Sequence, residues 1–141
     1  MQTFHTNSDP RTTAADLDMR RLNKQIVECV QIIRAAQDET AGYRSHPAVK
    51  MWMGHERSLA EYTQAMLDEW WSRGYTSHIG SAQKVTEYLQ TLEDTGWPGW
   101  WGDSAMVRSH QSNLVRKAPE HYIPLFPDVP DDIPYVWPTN I

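Results

Sequence analysis

Apolar positions recur at helical spacing through most of the chain. Met19, Leu22, Ile26, Cys29, Val30 and Ile33 form one stripe over about four turns. Thr13-Ala14-Ala15-Asp16 predicts the start of that helix, because a hydroxyl cap is followed by an acid three residues on, after the breaker Pro10. Ser45-His46-Pro47 reads as a cap before proline at a first helical position, predicting a short helix or turn with Val49, Met51 and Trp52 before Gly54. Leu59, Tyr62, Met66 and Trp70 predict the second long helix, with Gly74 after Arg73 as its C-terminal cap. Two shorter helices are predicted by Val85, Tyr88, Leu89 and Leu92, between Gly80-Ser81 and Gly96, and by Val107, His110 and Leu114, between Asp103-Ser104 and Pro119.

Residues 119–141 change character. Pro119, Pro124, Pro127, Pro130, Pro134 and Pro138 are too many for a helix or central strand, so this segment is expected to run extended over the body. Phe126, Tyr135, Val136 and Trp137 are the residues expected to pin it. No window alternates at period two for long enough to demand a sheet, and no internal repeat is visible. The expected architecture is all-α: a compact single-domain helical bundle over residues 1–118, with an acidic, Pro- and aromatic-rich tail over 119–141 packed on it.

Length and composition narrow the classes. A chain of 141 residues fits one domain, and such a domain buries roughly two thirds of its unfolded surface without needing staples. The lone cysteine, Cys29, excludes an intramolecular disulfide framework and suits a reducing cytoplasm. No apolar run reaches the length of a membrane span, and Met1-Gln2-Thr3-Phe4-His5 lacks the features of a signal peptide, so no membrane association is expected. The net charge of -5 argues against gripping nucleic acid by general electrostatics. However, residues 119–141 carry -4 of it, in Glu120, Asp128, Asp131 and Asp132, which leaves -1 on the body and room for a locally basic surface.

Several groups of residues carry candidate chemistry. Arg21, Lys24, Glu28 and Gln31 share one face of the first long helix, opposite its apolar stripe. Such a face is either solvated, with Lys24 and Glu28 an ordinary i,i+4 pair, or covered by later segments. In the covered case Glu28 orients or protonates a reacting group while Arg21 and Lys24 hold phosphate. His55, after Gly54 at a helix entrance, either faces a pocket or hydrogen-bonds a carbonyl. Trp97-Pro98-Gly99-Trp100-Trp101-Gly102-Asp103 sets three indoles on a glycine-rich loop, which makes Trp101 part of either a core plug or a stacking platform. His110, Asn113 and Lys117 share a later face with Arg116 alongside, a set that suits a base edge and phosphate or simple exposure to solvent. The histidines lack paired short spacing and one cysteine cannot build a zinc cluster, so no metal is expected. The absence of GxGxxG, GxxxxGK[ST] and GxSxG sets aside dinucleotide, phosphate-loop and hydrolase-elbow sites, and no cofactor is expected.

Three segments together carry a family resemblance. They are Leu17-Asp18-Met19-Arg20-Arg21-Leu22-Asn23-Lys24-Gln25-Ile26-Val27-Glu28, His46-Pro47-Ala48-Val49-Lys50-Met51-Trp52-Met53-Gly54-His55-Glu56, and Ser112-Asn113-Leu114-Val115-Arg116-Lys117 with Pro119 and Tyr122. In this order they resemble the pyrimidine-dimer DNA glycosylase family of the phage endonuclease V type, in particular its actinobacterial and phage branch, over most of residues 1–122. The resemblance implies an all-helical fold that flips or splays a nucleotide, an amine that attacks the sugar C1′ carbon, and an assisting carboxylate. Glu28 stands at the family's carboxylate position. Arg21 and Lys24 stand near its arginines, Lys117 on its late basic helix, and Asn113 where a cation is expected. Family enzymes use the α-amine of a small second residue exposed by methionine removal. This chain begins Met1-Gln2, and methionine is not normally removed before glutamine, so either Met1 supplies the amine or lyase chemistry is absent.

The reading that follows is a DNA glycosylase, with or without AP-lyase activity, acting on a damaged or modified pyrimidine in the cytoplasm of a bacterial or phage-infected cell. Glu28 and Met1 are its catalytic candidates; Arg21, Lys24, His55, Trp101, Asn113, Arg116 and Lys117 are its substrate-binding candidates. One alternative is a non-catalytic protein that binds a modified base, a nucleotide or a protein partner through the tryptophan loop or acidic tail. The other is a base-modifying enzyme of phage DNA hypermodification.

Overall fold

The two strongest apolar stripes become the central helix pair. The computed structural model describes residues 1–138, so the last three residues of the expected tail lie outside the described residues. Within them there are seven helices and no strand: α1 Pro10–Asp16, α2 Met19–Gln37, α3 Pro47–Lys50, α4 Glu56–Ser72, α5 Ile79–Thr91, α6 Ser104–Lys117 and α7 Pro119–Tyr122. Helix α2 buries Leu22, Ile26, Cys29, Val30 and Ile33 against α4, which buries Leu59, Tyr62, Met66 and Trp70 in return. Each aliphatic side chain so withdrawn from water contributes about 1.5–3 kcal/mol before chain entropy is counted. Helices α1 and α5 flank α4, α3 packs on α2, and α6 packs on α7. Among the described residues no helix is long and apolar enough to cross a membrane.

Side chains close the helix ends. Arg44 donates to the carbonyls of Ala35 and Ala36 at 2.9 and 2.7 Å and so satisfies the C-terminus of α2. Arg73, at the end of α4, donates to the carbonyls of Ala14 and Leu17 at 3.1 and 2.7 Å, which ties α4 to the end of α1. Gly74 follows with φ +97°, a conformation suited to a residue without Cβ.

Four expectations are corrected. Pro10 is not a breaker ahead of the first helix but the N1 residue of a separate helix, α1, capped by the Asp9 carboxylate; Thr13 lies inside it and is buried. Met19 begins α2 and is 47% exposed, so the buried stripe starts at Leu22. Helix α5 begins one residue before Gly80, after His78 at φ +72°. The proline-rich segment opens with a helical turn, α7, because Pro119 sits at N1 where its missing N–H costs nothing. Beyond α7 the chain is irregular, with Phe126 buried and Tyr135 and Trp137 half-buried, whereas Val136 is exposed.

Burial makes Cys29 a packing group. Loss of solvation pushes its thiol up to about 12. Iodoacetamide at pH 8 is therefore expected to leave the native protein unmodified and to label Cys29 only on unfolding. Rapid labelling of the native protein would mean that the α2–α4 interface opens.

Candidate active site

A polar N-terminal segment is threaded into the core. Gln2, Thr3, Phe4, His5 and Thr6 are all buried, whereas Met1 is 40% exposed. A peptide strand inside a helical protein needs partners for its backbone groups, and here side chains supply them. The buried Gln25 carboxamide brackets the segment: Oε1 accepts from Phe4 N at 2.8 Å and Nε2 donates to Gln2 O at 2.9 Å. Tyr62 donates its hydroxyl to Phe4 O at 2.6 Å, and burial pushes that phenol well above its ordinary range. Trp52 Nε1 donates to Thr3 Oγ1 at 3.0 Å, and Gln111 Nε2 donates to Thr6 O at 3.0 Å. His5 N donates to His110 Nδ1 at 2.9 Å, while His5 Nε2 accepts from Gly102 N at 3.2 Å.

This threading fixes residue 1 at the mouth of a cavity of about 740 Å³ lined by the first turns of α2 and by Lys117. Five residues singled out from the sequence meet there: Met1, Arg21, Lys24, Glu28 and Lys117. Arg20, Asn23, Gln25, Gln2 and Phe4 complete most of the wall. The lining carries four basic side chains and one carboxylate, so a locally basic site exists on a protein of net charge -5. The α2 face is partly covered: Arg21 and Glu28 are half-buried beside the N-terminal segment, whereas Arg20, Lys24 and Lys117 are exposed.

Within the cavity Glu28 is half-buried and joins no ion pair among the described residues, so the expected pairing with Lys24 does not form. Arg21 is partly committed, at 3.2 Å from the Asp18 carboxylate. Burial alone would raise the Asp18 carboxyl, but the Tyr122 hydroxyl and the Arg21 guanidinium together hold it below the ordinary carboxylate range. Lys117 Nζ rests 5.5 Å from the Phe4 ring centroid and 5.6 Å from that of Tyr135, and donates to the Tyr135 hydroxyl at 3.2 Å. A residue beyond α7 thus aims the basic end of α6 at the cavity.

The other four candidates lie outside this cavity. His55 precedes α4 and shares a hydrogen bond at 2.9 Å between its Nδ1 and Gly96 O; it lines a separate cavity of about 830 Å³ with Trp100 and Trp137. Trp101 stacks on His5 with centroids 4.0 Å apart, and its Nε1 donates to Ser8 O at 2.9 Å. Trp100 packs edge-on to the buried Trp52, and the three loop indoles are half-buried against the core. Asn113 is buried and donates to Ser109 O and Ile133 O at 2.8 and 3.0 Å. Arg116 donates to Asp131 O at 3.1 Å and to the Asn113 carboxamide. Both residues hold the chain beyond α7. Among the described residues no group of three or more His, Cys, Asp or Glu side chains is placed to hold a metal.

Gln25 was not singled out from the sequence, although a signal was present. It is the polar member of the buried face formed by Leu22, Ile26 and Cys29, and a glutamine at such a position needs a buried partner.

A family described as pyrimidine dimer DNA glycosylase matches residues 1–81. That stretch holds the threaded N-terminus, α1 to α4 and Glu28; the tryptophan loop and α6, with Lys117, lie beyond it. No curated protein and no solved structure matches the chain.

Proposed function

The chain belongs to the pyrimidine dimer DNA glycosylase family, and we propose that it releases a damaged pyrimidine from DNA through an amine held at residue 1. The observation that carries this reading is the burial of residues 2–6, which leads residue 1 to a basic cavity whose lining also includes Glu28. Arg21, Lys24 and Lys117 hold the phosphates that flank the reacting nucleotide. The site of action is the cytoplasm of a bacterial or phage-infected cell, where DNA is accessible and Cys29 stays reduced.

The chemistry divides between two groups. The residue 1 nitrogen forms a bond to C1′ as the glycosidic bond breaks, and the base takes that electron pair, remaining tethered to its neighbour where the lesion is a dimer. Glu28 takes the proton that the attacking amine loses and passes it to the ring oxygen O4′; the C1′–O4′ bond opens and leaves an imine to residue 1. α-Amines as a class are less basic than lysine side chains, which suits a terminus to nucleophilic work at neutral pH.

Borohydride reduces an imine to a permanent bond, so incubation with a thymine-dimer duplex and borohydride is expected to yield a protein–DNA crosslink that peptide mapping places at residue 1. An uncleaved N-terminal tag is expected to suppress it. Affinity for the same duplex is expected to fall steeply with salt, by roughly one log unit per log unit of salt for each phosphate neutralised. A crosslink at Lys24 would replace the nucleophile. Base release without any crosslink would leave a monofunctional glycosylase that uses activated water. Neither base release nor trapping on dimer, abasic and hydroxymethylated duplexes would sink the assignment in favour of a binding protein.

A further inference from the structure

We propose that Asn23, oriented by His78, donates a hydrogen bond to a carbonyl oxygen of the pyrimidine base and so separates base-bearing from base-free sites. This inference rests on the glycosylase reading above. Asn23 lies on the cavity wall one residue before Lys24. Its Oδ1 takes a hydrogen bond of 2.5 Å from His78 Nε2, which fixes the amide: the carbonyl end is spent on the protein and the NH₂ end is left for the cavity. A carbonyl oxygen can only accept, so the proton of this contact sits on Nε2.

The local backbone supports a dedicated role. His78 is the only non-glycine residue at positive φ among the described residues, at +72°, a conformation that disfavours residues with a Cβ. It precedes α5 as the N-cap, yet its side chain makes no cap hydrogen bond. A serine or asparagine there would cap the helix, and a glycine would relieve the backbone; histidine does neither and instead reaches across to α2.

A second amide lies in the same wall. Gln2 lines the cavity and is 6% exposed, and its Oε1 accepts from Thr3 N at 3.0 Å. Phosphate is served by the four cationic side chains of the lining. Neutral amide donors suit neutral carbonyl acceptors, which a pyrimidine base presents and an abasic sugar does not.

The test compares the affinity of the full chain for two duplexes of one sequence, one with a thymine dimer and one with a tetrahydrofuran abasic analogue at the same position. In Asn23→Ala the dimer-to-abasic affinity ratio is expected to fall on the order of tenfold, the loss of about one hydrogen bond. His78→Gly, which adopts the same backbone freely, is expected to lower the ratio in the same direction. The double variant is expected to be no worse than Asn23→Ala, because His78 acts through Asn23. Equal losses on both duplexes would mean a phosphate or merely structural contact and overturn the base assignment. Additive losses would overturn the role of His78. A wild-type protein with no preference for the dimer over undamaged duplex would overturn the glycosylase reading and this inference together, whereas a wild-type preference left unchanged in the variants would overturn this inference alone.

Discussion

Glu28→Gln is expected to abolish base release while DNA affinity and thermal stability stay close to wild type. The substitution keeps the length and shape of the side chain and removes only its charge. Glu28 joins no ion pair among the described residues and is half-buried, so its loss leaves no partner charge stranded in the protein. In the proposed mechanism the carboxylate accepts a proton from the attacking amine and returns it to the sugar. Proton transfer of this kind contributes about 10²–10⁴-fold, and the amide cannot replace it. Single-turnover scission of the glycosidic bond on a thymine-dimer duplex, read as free thymine after photoreversal of the dimer and set beside fluorescence anisotropy and a thermal melt, separates these quantities. Equal activity in both proteins would return Glu28 to an ordinary helix surface. A large loss of melting temperature would show that the carboxylate supports the fold instead.

How much of this was legible in the sequence depends on where the polar groups find their partners. Helices α2 and α4 were legible because a long amphipathic helix writes its burial at 3.6-residue spacing, and Leu22, Ile26, Leu59 and Met66 all follow it. The basic face of α2 was legible for the same reason, since Arg21, Lys24 and Glu28 lie where the apolar stripe is not. The threaded N-terminus was not. Gln2, Thr3, His5 and Thr6 are polar, and what buries them is a set of side chains far along the chain, among them Tyr62 and His110, that no local pattern announces.

Proline misled, and the tryptophan loop left two readings open. Pro10 and Pro119 were read as breakers, but proline at N1 starts a helix, and only the preceding residue's geometry decides between the two. The tryptophan loop was read as either a core plug or a stacking platform, because glycine and proline flank it. Its indole N–H groups reach the carbonyls of Met51 and Ser8 at 3.0 and 2.9 Å, which lets the rings pack inward. Asn113 and Arg116 have the composition of a nucleic-acid contact, yet each gives a hydrogen bond to a carbonyl beyond α7. Composition cannot distinguish a donor offered to a ligand from one offered to the chain itself.

Below pH 6.5 the protein is expected to lose stability in proportion to the uptake of up to two protons, by His5 and His110. Burial lowers His5 to about 4, with the Asp103 carboxylate pulling weakly the other way. Burial also lowers His110 to about 3, helped by the positive charge of neighbouring Lys117 and by His5. Geometry gives the same sign, because His110 Nδ1 and His5 Nε2 both accept from backbone N–H groups, and a protonated nitrogen cannot. With folded values below the ordinary 6.5, the unfolded chain takes up protons first. The stability present above 6.5 is therefore lost as pH falls toward the folded values, at about 1.4 kcal/mol per pH unit for each imidazole. Asp16, raised by burial, works against this trend at the acid end of the window. Against a total of about 5–15 kcal/mol for a domain, two such groups remove a large share. They also latch the segment that holds residue 1, so the borohydride-trapped crosslink is expected to fade over the same interval. Urea midpoints measured from pH 7 to pH 4 give the slope directly, and His110→Gln, whose carboxamide oxygen can still accept from His5 N, is expected to flatten it by one proton. A wild-type stability that is level across this range, or a slope unchanged in His110→Gln, would show that the buried imidazoles do not hold the N-terminal segment in place.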